Sequence, residues 1–355
     1  MSVLPPSQHQ NLFGHSAIVS RLKKSFDAQQ LHHAIILNGL EGIGKETLAF
    51  QLIRYALAFP TGKPGQDDLE IPESHIVTKQ IAAGSHPHVF IIQPVYDDKK
   101  QRFKRDITLD ALNGLTNFLR LAPQQDAPRF ILINPADGMN NNTQNALLKL
   151  LEEPPAKTHF LLLTTQIGAL LPTIRSRCLT LSLDPLSLQD FTAAITRLMP
   201  AIEDDKIAGY FYLSGGAVGQ AIQNLEMELL ENYGGLCRAI LAWNDEGDSK
   251  PAMEWAEELS RDDVLADRLV ETLLAQLALF LKAKITGETI TATIPEEERV
   301  LERWAGLPDG KILSLYDRIG ALWQMGEGAY LDRKLVLLQI AGLLSMDKEN
   351  RAVLA

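Results

Sequence analysis

Cysteine is scarce in this chain: Cys178 and Cys237 are the only two among 355 residues. Two thiols cannot supply a four-thiolate zinc site, and such sparing use fits a reducing compartment. No uninterrupted apolar stretch of ~18 residues occurs, which excludes an ordinary membrane-spanning helix. The opening residues, Met1-Ser-Val-Leu-Pro-Pro, lack a basic segment leading into an apolar one, so a soluble, cytoplasmic protein is expected with no membrane partner. Positive charge is also short. Lys and Arg total 34 against 44 Asp and Glu, a formal net charge of −10. Phosphate neutralisation dominates nucleic-acid binding, so a chain this acidic is not expected to grip DNA alone. Any such contact would be local or shared with more basic partners. Internal repeats and low-complexity segments are absent too.

What is present is apolar residues at 46%, ample for sizeable cores, in a chain long enough for two or three domains. Ala34-Ile-Ile-Leu37, Val89-Phe-Ile-Ile92, Phe130-Ile-Leu-Ile133 and Phe160–Leu163 are continuous apolar runs, as expected of strands buried on both faces. They alternate with helical patterns over Lys45–Ala58, Leu109–Leu121 and Thr143–Glu153. That alternation predicts an α/β core with a parallel sheet flanked by helices, ending near Asp184-Pro185. Between Pro60 and about Gly84 the composition turns to Pro, Gly and acids, which reads as a surface insertion. Beyond Pro185 the strand signals stop. Leu188–Leu198 and Lys206–Leu213 look helical, and Gly215-Gly216-Ala-Val-Gly219 is a turn before another helix. Leu265, Leu269, Leu273, Leu277 and Leu281 fall on one helical stripe, and Leu335–Leu344 is a dense apolar helix. The expected domains are therefore 1–185, a small helical module at 186–241, and an all-α domain at 242–355.

Gly39-Leu-Glu-Gly42-Ile-Gly44-Lys45 matches the G-x-x-x-x-G-K part of a phosphate-binding loop, set between a strand and a helix. In such loops the glycines let backbone N–H groups wrap a phosphate at a helix N-terminus, and the lysine neutralises charge. Gly39, Gly42, Gly44 and Lys45 are thus the candidate cofactor-binding residues. The next position should carry a Ser or Thr hydroxyl for Mg²⁺. Here it is Glu46, and Thr47 lies ~100° away around the helix. Two readings stay open: ATP or ADP held weakly without hydrolysis, or a loop kept as a structural turn. Hydrolysing enzymes of this kind also end a buried strand in Asp-Glu, one acid orienting Mg²⁺ and the other polarising water. Phe130–Ile133 is followed instead by Asn134-Pro135-Ala136-Asp137, with Asp137 expected in a turn. Hydrolysis by this chain alone is not expected.

Asn145-Ala-Leu-Leu-Lys-Leu-Leu-Glu-Glu-Pro-Pro155 and Ser176-Arg177-Cys178 form the most specific constellation. A helix stopped by Pro-Pro, a buried strand and an exposed arginine is how nucleotide-dependent rings present charge to a neighbour. With Phe13-Gly14-His15, His33-Ala34 and Gly84-Ser-His-Pro87, these residues resemble the clamp-loader AAA+ subunits over most of residues 10–225. The C-terminal helices agree loosely, apart from Leu331-Asp-Arg-Lys334. The resemblance implies a P-loop AAA+ core, a helical lid and a helical collar for oligomerisation, matching the three segments above. Counting back from Asn145 without gaps puts Asn134 and Pro135 where the family keeps its two acids. It implies that Arg177 acts in trans on the ATP site of a neighbouring subunit, while Ser176 and Cys178 shape the loop and Arg175 is solvated. Thr164-Thr165 fall where the family senses phosphate. The family often carries a four-cysteine zinc module after the loop helix; residues 60–83 hold no cysteine, so no zinc or other metal is expected. His75, His86 and His88 are read as surface or structural residues. The implied partners are tau/gamma-type ATPase subunits and a delta-type subunit, with the sliding clamp and primed DNA reached through the complex. The alternative reading is an active ATP-hydrolysing loader subunit or branch-migration motor.

Overall fold

The computed structural model describes residues 5–8, 11–63, 65, 68–94, 96–97, 102–103, 107–120, 127–328 and 332–345. Leu121 and Leu331, named above, lie outside these. Residues 1–198 with 216–220 make one compact unit, and residues 199–215 with 221–355 make a second.

The first unit contains α1 (Ser16–Asp27), β1 (Ala34–Asn38), α2 (Lys45–Ala58), α3 (Ile76–Ala82), β2 (Val89–Ile92), the short β3 (Tyr96–Asp97) and β4 (Arg102–Phe103), and α4 (Asp110–Arg120). It continues with β5 (Arg129–Ile133), α5 (Asn141–Glu152), β6 (Thr158–Thr164), α6 (Pro172–Arg175), β7 (Leu179–Ser182) and α7 (Leu188–Leu198). Five strands form one sheet in the order β2-β5-β6-β1-β7, all pairs parallel, with β3 and β4 as a separate antiparallel ribbon. This is the parallel sheet with flanking helices that the sequence predicts. Strand alternation divides its apolar residues between two faces. Ile35, Leu37, Phe130, Leu132, Leu161 and Leu163 join α1 and α2 on one side. Ala34, Ile36, Ile131, Ile133, Phe160 and Leu162 join α4 and α5 on the other.

Two expectations need correcting. β2 is an edge strand, and Ile91 is exposed rather than buried on both faces. The segment after α2 is more than a surface insertion: Leu69, Ile71, Val77 and Ile81 are buried in the α1–α2 core. The Pro, Gly and acidic composition concealed four widely spaced apolar anchors. The Tyr55 hydroxyl donates to Asp27 Oδ1 at 2.8 Å and accepts from the Lys63 amide at 3.0 Å, tying that segment to α1.

The elements of the second unit are all helices among its described residues: α8 (Asp204–Ser214), α9 (Val218–Glu226, begun in the first unit), α10 (Leu229–Glu246), α11 (Lys250–Leu259), α12 (Asp263–Thr286), α13 (Pro295–Ala305), α14 (Asp309–Gly328) and α15 (Arg333–Ser345). Asp262 caps α12 by accepting from the Val264 and Leu265 amides, and Gly287, at φ 73°, ends it. Leu269, Leu273 and Leu277 bury the middle of the α12 stripe. Both oxygens of the buried Glu297 are used, by the Tyr233 hydroxyl and the Thr293 amide. No helix among the described residues is long and apolar enough to cross a membrane.

Candidate functional site

In parallel α/β sheets, ligand sites form beyond the carboxyl ends of the strands. Here β1 delivers the loop 39–45, β5 delivers Asn134 and Pro135, and β6, which lies between them, delivers Thr164 and Thr165. Register places Asn38 beside Thr164, so these ends come level.

The loop is folded onto itself. Lys45 is buried, and its Nζ donates to the Gly39 and Leu40 carbonyls, each at 2.7 Å. Burial pushes this ammonium below its ordinary range, opposed by the charges of Asp137 and Glu41. Gly42 has φ 70°, and a Cβ there would lie 2.2 Å from the Gln220 amide nitrogen. Its carbonyl accepts from the Gly219 amide at 2.9 Å. A Cβ on Gly219 would in turn lie 3.0 Å from the Gly42 Cα. The two glycines therefore face each other, and Gly219 and Gln220 pack on the loop. Nothing local to either segment announces this, although both are glycine-dense. His15 reaches the same loop, with Nε2 3.2 Å from the Ile43 carbonyl, which gives the Phe13-Gly14-His15 motif a structural reason.

Glu46 and Asn134 meet: the Asn134 Nδ2 donates to Glu46 Oε2 at 3.0 Å. These positions lie 88 residues apart, and sequence reading treated their changes as separate losses. Burial raises the Glu46 carboxyl above its usual range, and the Asn134 hydrogen bond opposes that shift. A raised folded-state pKa means that Glu46 favours the fold when protonated, a contribution lost as pH rises through that pKa. Glu46→Gln keeps an acceptor for Asn134 and removes the buried charge. The variant should melt roughly 1–3 °C higher at neutral pH, with the gain shrinking below the carboxyl range. Thermal scans between pH 4 and 8 check this; an equal gain at both ends removes the electrostatic cause.

The Asn134–Pro135 peptide bond is cis. Asp137 sits in a 3₁₀ turn, Ala136–Gly138, as expected. Its Oδ2 accepts from the Thr165 hydroxyl at 2.8 Å. The Thr164 hydroxyl accepts from the Gln166 amide at 3.1 Å.

The arginine turn lies on the α5 side of the sheet. Gln144 is buried; its Nε2 donates to the Met139 and Ala169 carbonyls, and its Oε1 accepts from the Leu171 amide at 2.8 Å. One side chain thus ties α5 to the segment entering α6, and sequence reading passed over it. Arg177 follows α6 and is half-buried. Its Nη1 donates to the Thr173 carbonyl at 3.0 Å, and Nη2 lies 2.7 Å from Glu152 Oε1. Arg175 and Ser176 are exposed. Cys178 is half-buried against the α5-side core, and burial pushes its thiol up to about 12. Elsewhere, His75 caps α3 by accepting from the Val77 amide. His86 and His88 stand edge to face at 5.7 Å, and burial with the neighbouring His88 pushes His86 down to about 4.

Residues 14–187 match the protein family described as "DNA polymerase III, delta subunit". The chain is similar to DNA polymerase III subunit delta' of Pseudomonas aeruginosa, 30% identical over 223 residues, 59% of this chain and 63% of that one. With subunit delta' of Escherichia coli the identity is 28% over 226 residues, 62% of each chain. DNA polymerase III subunit gamma of Buchnera aphidicola is 28% identical over 185 residues, 52% of this chain and 47% of that one. The matches span less than two thirds of these relatives' length.

Proposed function

We propose that the chain is a delta-prime-like member of the clamp-loader family, a reading supported by its likeness to delta-prime subunits, and that it is a non-hydrolysing loader subunit whose Arg177 acts on a neighbour's ATP. The observation that carries this is the Glu46–Asn134 hydrogen bond, in the same unit that presents Arg177. The residues present do not suit a magnesium nucleotide. Mg²⁺ demands near-octahedral oxygen donors at ~2.1 Å. Here the hydroxyl position carries a carboxylate already accepting a proton donor, the acid position carries that donor, and Pro135 has no group to orient water. Lys45 is engaged with its own loop. The loop then serves as a structural turn, and any ATP or ADP held on it stays unhydrolysed.

Beside this defect, the half-exposed Arg177 keeps charge to offer. Its partners would be tau/gamma-type ATPase subunits, with a delta-type subunit, the sliding clamp and primed DNA completing the complex, and residues 242–355 serving as the collar. The gamma relative keeps one alternative in view, an active loader ATPase or a related motor. Purified chain alone separates the two. Mg²⁺-dependent ATP turnover should be indistinguishable from a no-protein blank. Turnover on the order of 1 s⁻¹, the low end of ordinary enzymes, would favour the motor.

A further inference from the structure

We infer that Glu152 positions Arg177 for its work on the neighbouring subunit, an inference that rests on the reading of Arg177 above. Glu152 is the last residue of α5 and belongs to the Asn145–Pro155 stretch. The Arg177 guanidinium is held at two points on two different elements: Nη1 on the Thr173 carbonyl of α6 and Nη2 on the Glu152 carboxylate. A guanidinium has five N–H donors in one rigid plane. The hydrogen bond to Thr173 and the ion pair with Glu152 restrain that plane from two sides and leave N–H donors for an incoming anion. The side chains of Arg177 and Glu152 are 36% and 48% exposed. Ion pairs this open add little to stability. Losing Glu152 therefore spares the fold and shows in the geometry of the arginine.

The platform beneath the pair is fixed at both ends. Gln144 locks the N-terminal part of α5 to the segment entering α6. At the other end, the Leu151 carbonyl lies 3.1 Å from His33 Nε2. Glu152 thus stands on a helix that Gln144 ties to the segment leading into the turn that bears Arg177. A misplacement of the order of 1 Å in a catalytic group can cost up to about a hundredfold in rate. Removing one of two tethers should cost less than removing the arginine.

The test uses a complex reassembled from full-length ATPase subunits and this chain, carrying Glu152→Gln, Glu152→Asp or Arg177→Ala. Glu152→Gln should lower ATP turnover roughly 3–10-fold with KM for ATP unchanged. Glu152→Asp, which keeps the charge, should recover at least half of the loss. In the isolated chain, the side-chain N–H resonances of Arg177 should be distinct in the wild type and averaged by rotation in Glu152→Gln. If Arg177→Ala cuts turnover while Glu152→Gln is as active as wild type or faster, positioning by Glu152 is wrong and the arginine reading stands. Unchanged Arg177 resonances in Glu152→Gln also overturn it. If Arg177→Ala itself leaves turnover unchanged, both inferences fall together.

Discussion

In a reassembled complex carrying Arg177→Ala, the neighbouring ATP site that faces this chain should turn over about a thousandfold more slowly than with the wild-type chain. An arginine supplied in trans meets the charge that develops on the transferred phosphoryl group, and such fingers are worth ~10³–10⁵ in rate. The loss should fall on kcat rather than on KM, because the contact strengthens as the reaction proceeds. Arg177→Lys should recover little, since a point charge lacks the planar fork that spans two oxygens. The fold supplies the control. Arg177 is half-exposed, and its pair with Glu152 is of the kind worth ~0–1 kcal/mol, so the variant should melt within a few degrees of wild type. Full turnover by the Arg177→Ala complex would leave the chain as an inert strut.

Placing an acid at the end of β5 should harm this protein. Asn134→Asp replaces the donor to Glu46 with a second carboxylate at the same 3.0 Å separation. The hydrogen bond is lost and two like charges meet in a partly buried site, at a cost of about 2–3 kcal/mol at neutral pH. One carboxyl of the pair must then hold a proton in the folded state that the unfolded chain releases. Its folded pKa is raised, so the variant keeps its stability at acid pH and loses it as pH rises through that value. Denaturant melts at pH 4.5 and 7.5 check the sign. Pairing the change with Glu46→Thr should return most of the stability, because a hydroxyl can donate to the new aspartate. Asn134→Asp as stable as wild type at neutral pH would show that the 3.0 Å contact is incidental.

Much of the fold was legible in apolar runs. β1, β5 and β6 coincide with the three runs that alternate into both cores, and α7 has the residue limits the periodicity suggested. β2 looked equally buried, because a run of apolar residues says nothing about whether a strand has a neighbour on each side. The anchors Leu69, Ile71, Val77 and Ile81 were hidden by the polar residues among them. At the site, Asn134 follows the end of β5, as the apolar run Phe130–Ile133 suggested. Three relationships were not legible: Glu46 with Asn134, Gly42 with Gly219, and Glu152 with Arg177. Each joins segments distant in the chain through single atoms, and neither periodicity nor local composition encodes such a pairing. Gln144 escaped for the same reason, as an unremarked amide beside a conspicuous motif.

The seating of Gly219 on Gly42 has a practical bearing on where the molecule can be cut. The first unit is not one contiguous stretch, since residues 216–220 return to it after the chain has left at Leu198. A fragment ending at Leu198 would keep every strand of the sheet and all the helices on its faces. It would still lose the amide that meets the Gly42 carbonyl and the backbone that fills the space above that glycine. Nucleotide affinity measured on such a fragment would report on an artificially opened loop. The smallest faithful fragment of this half runs through Gln220.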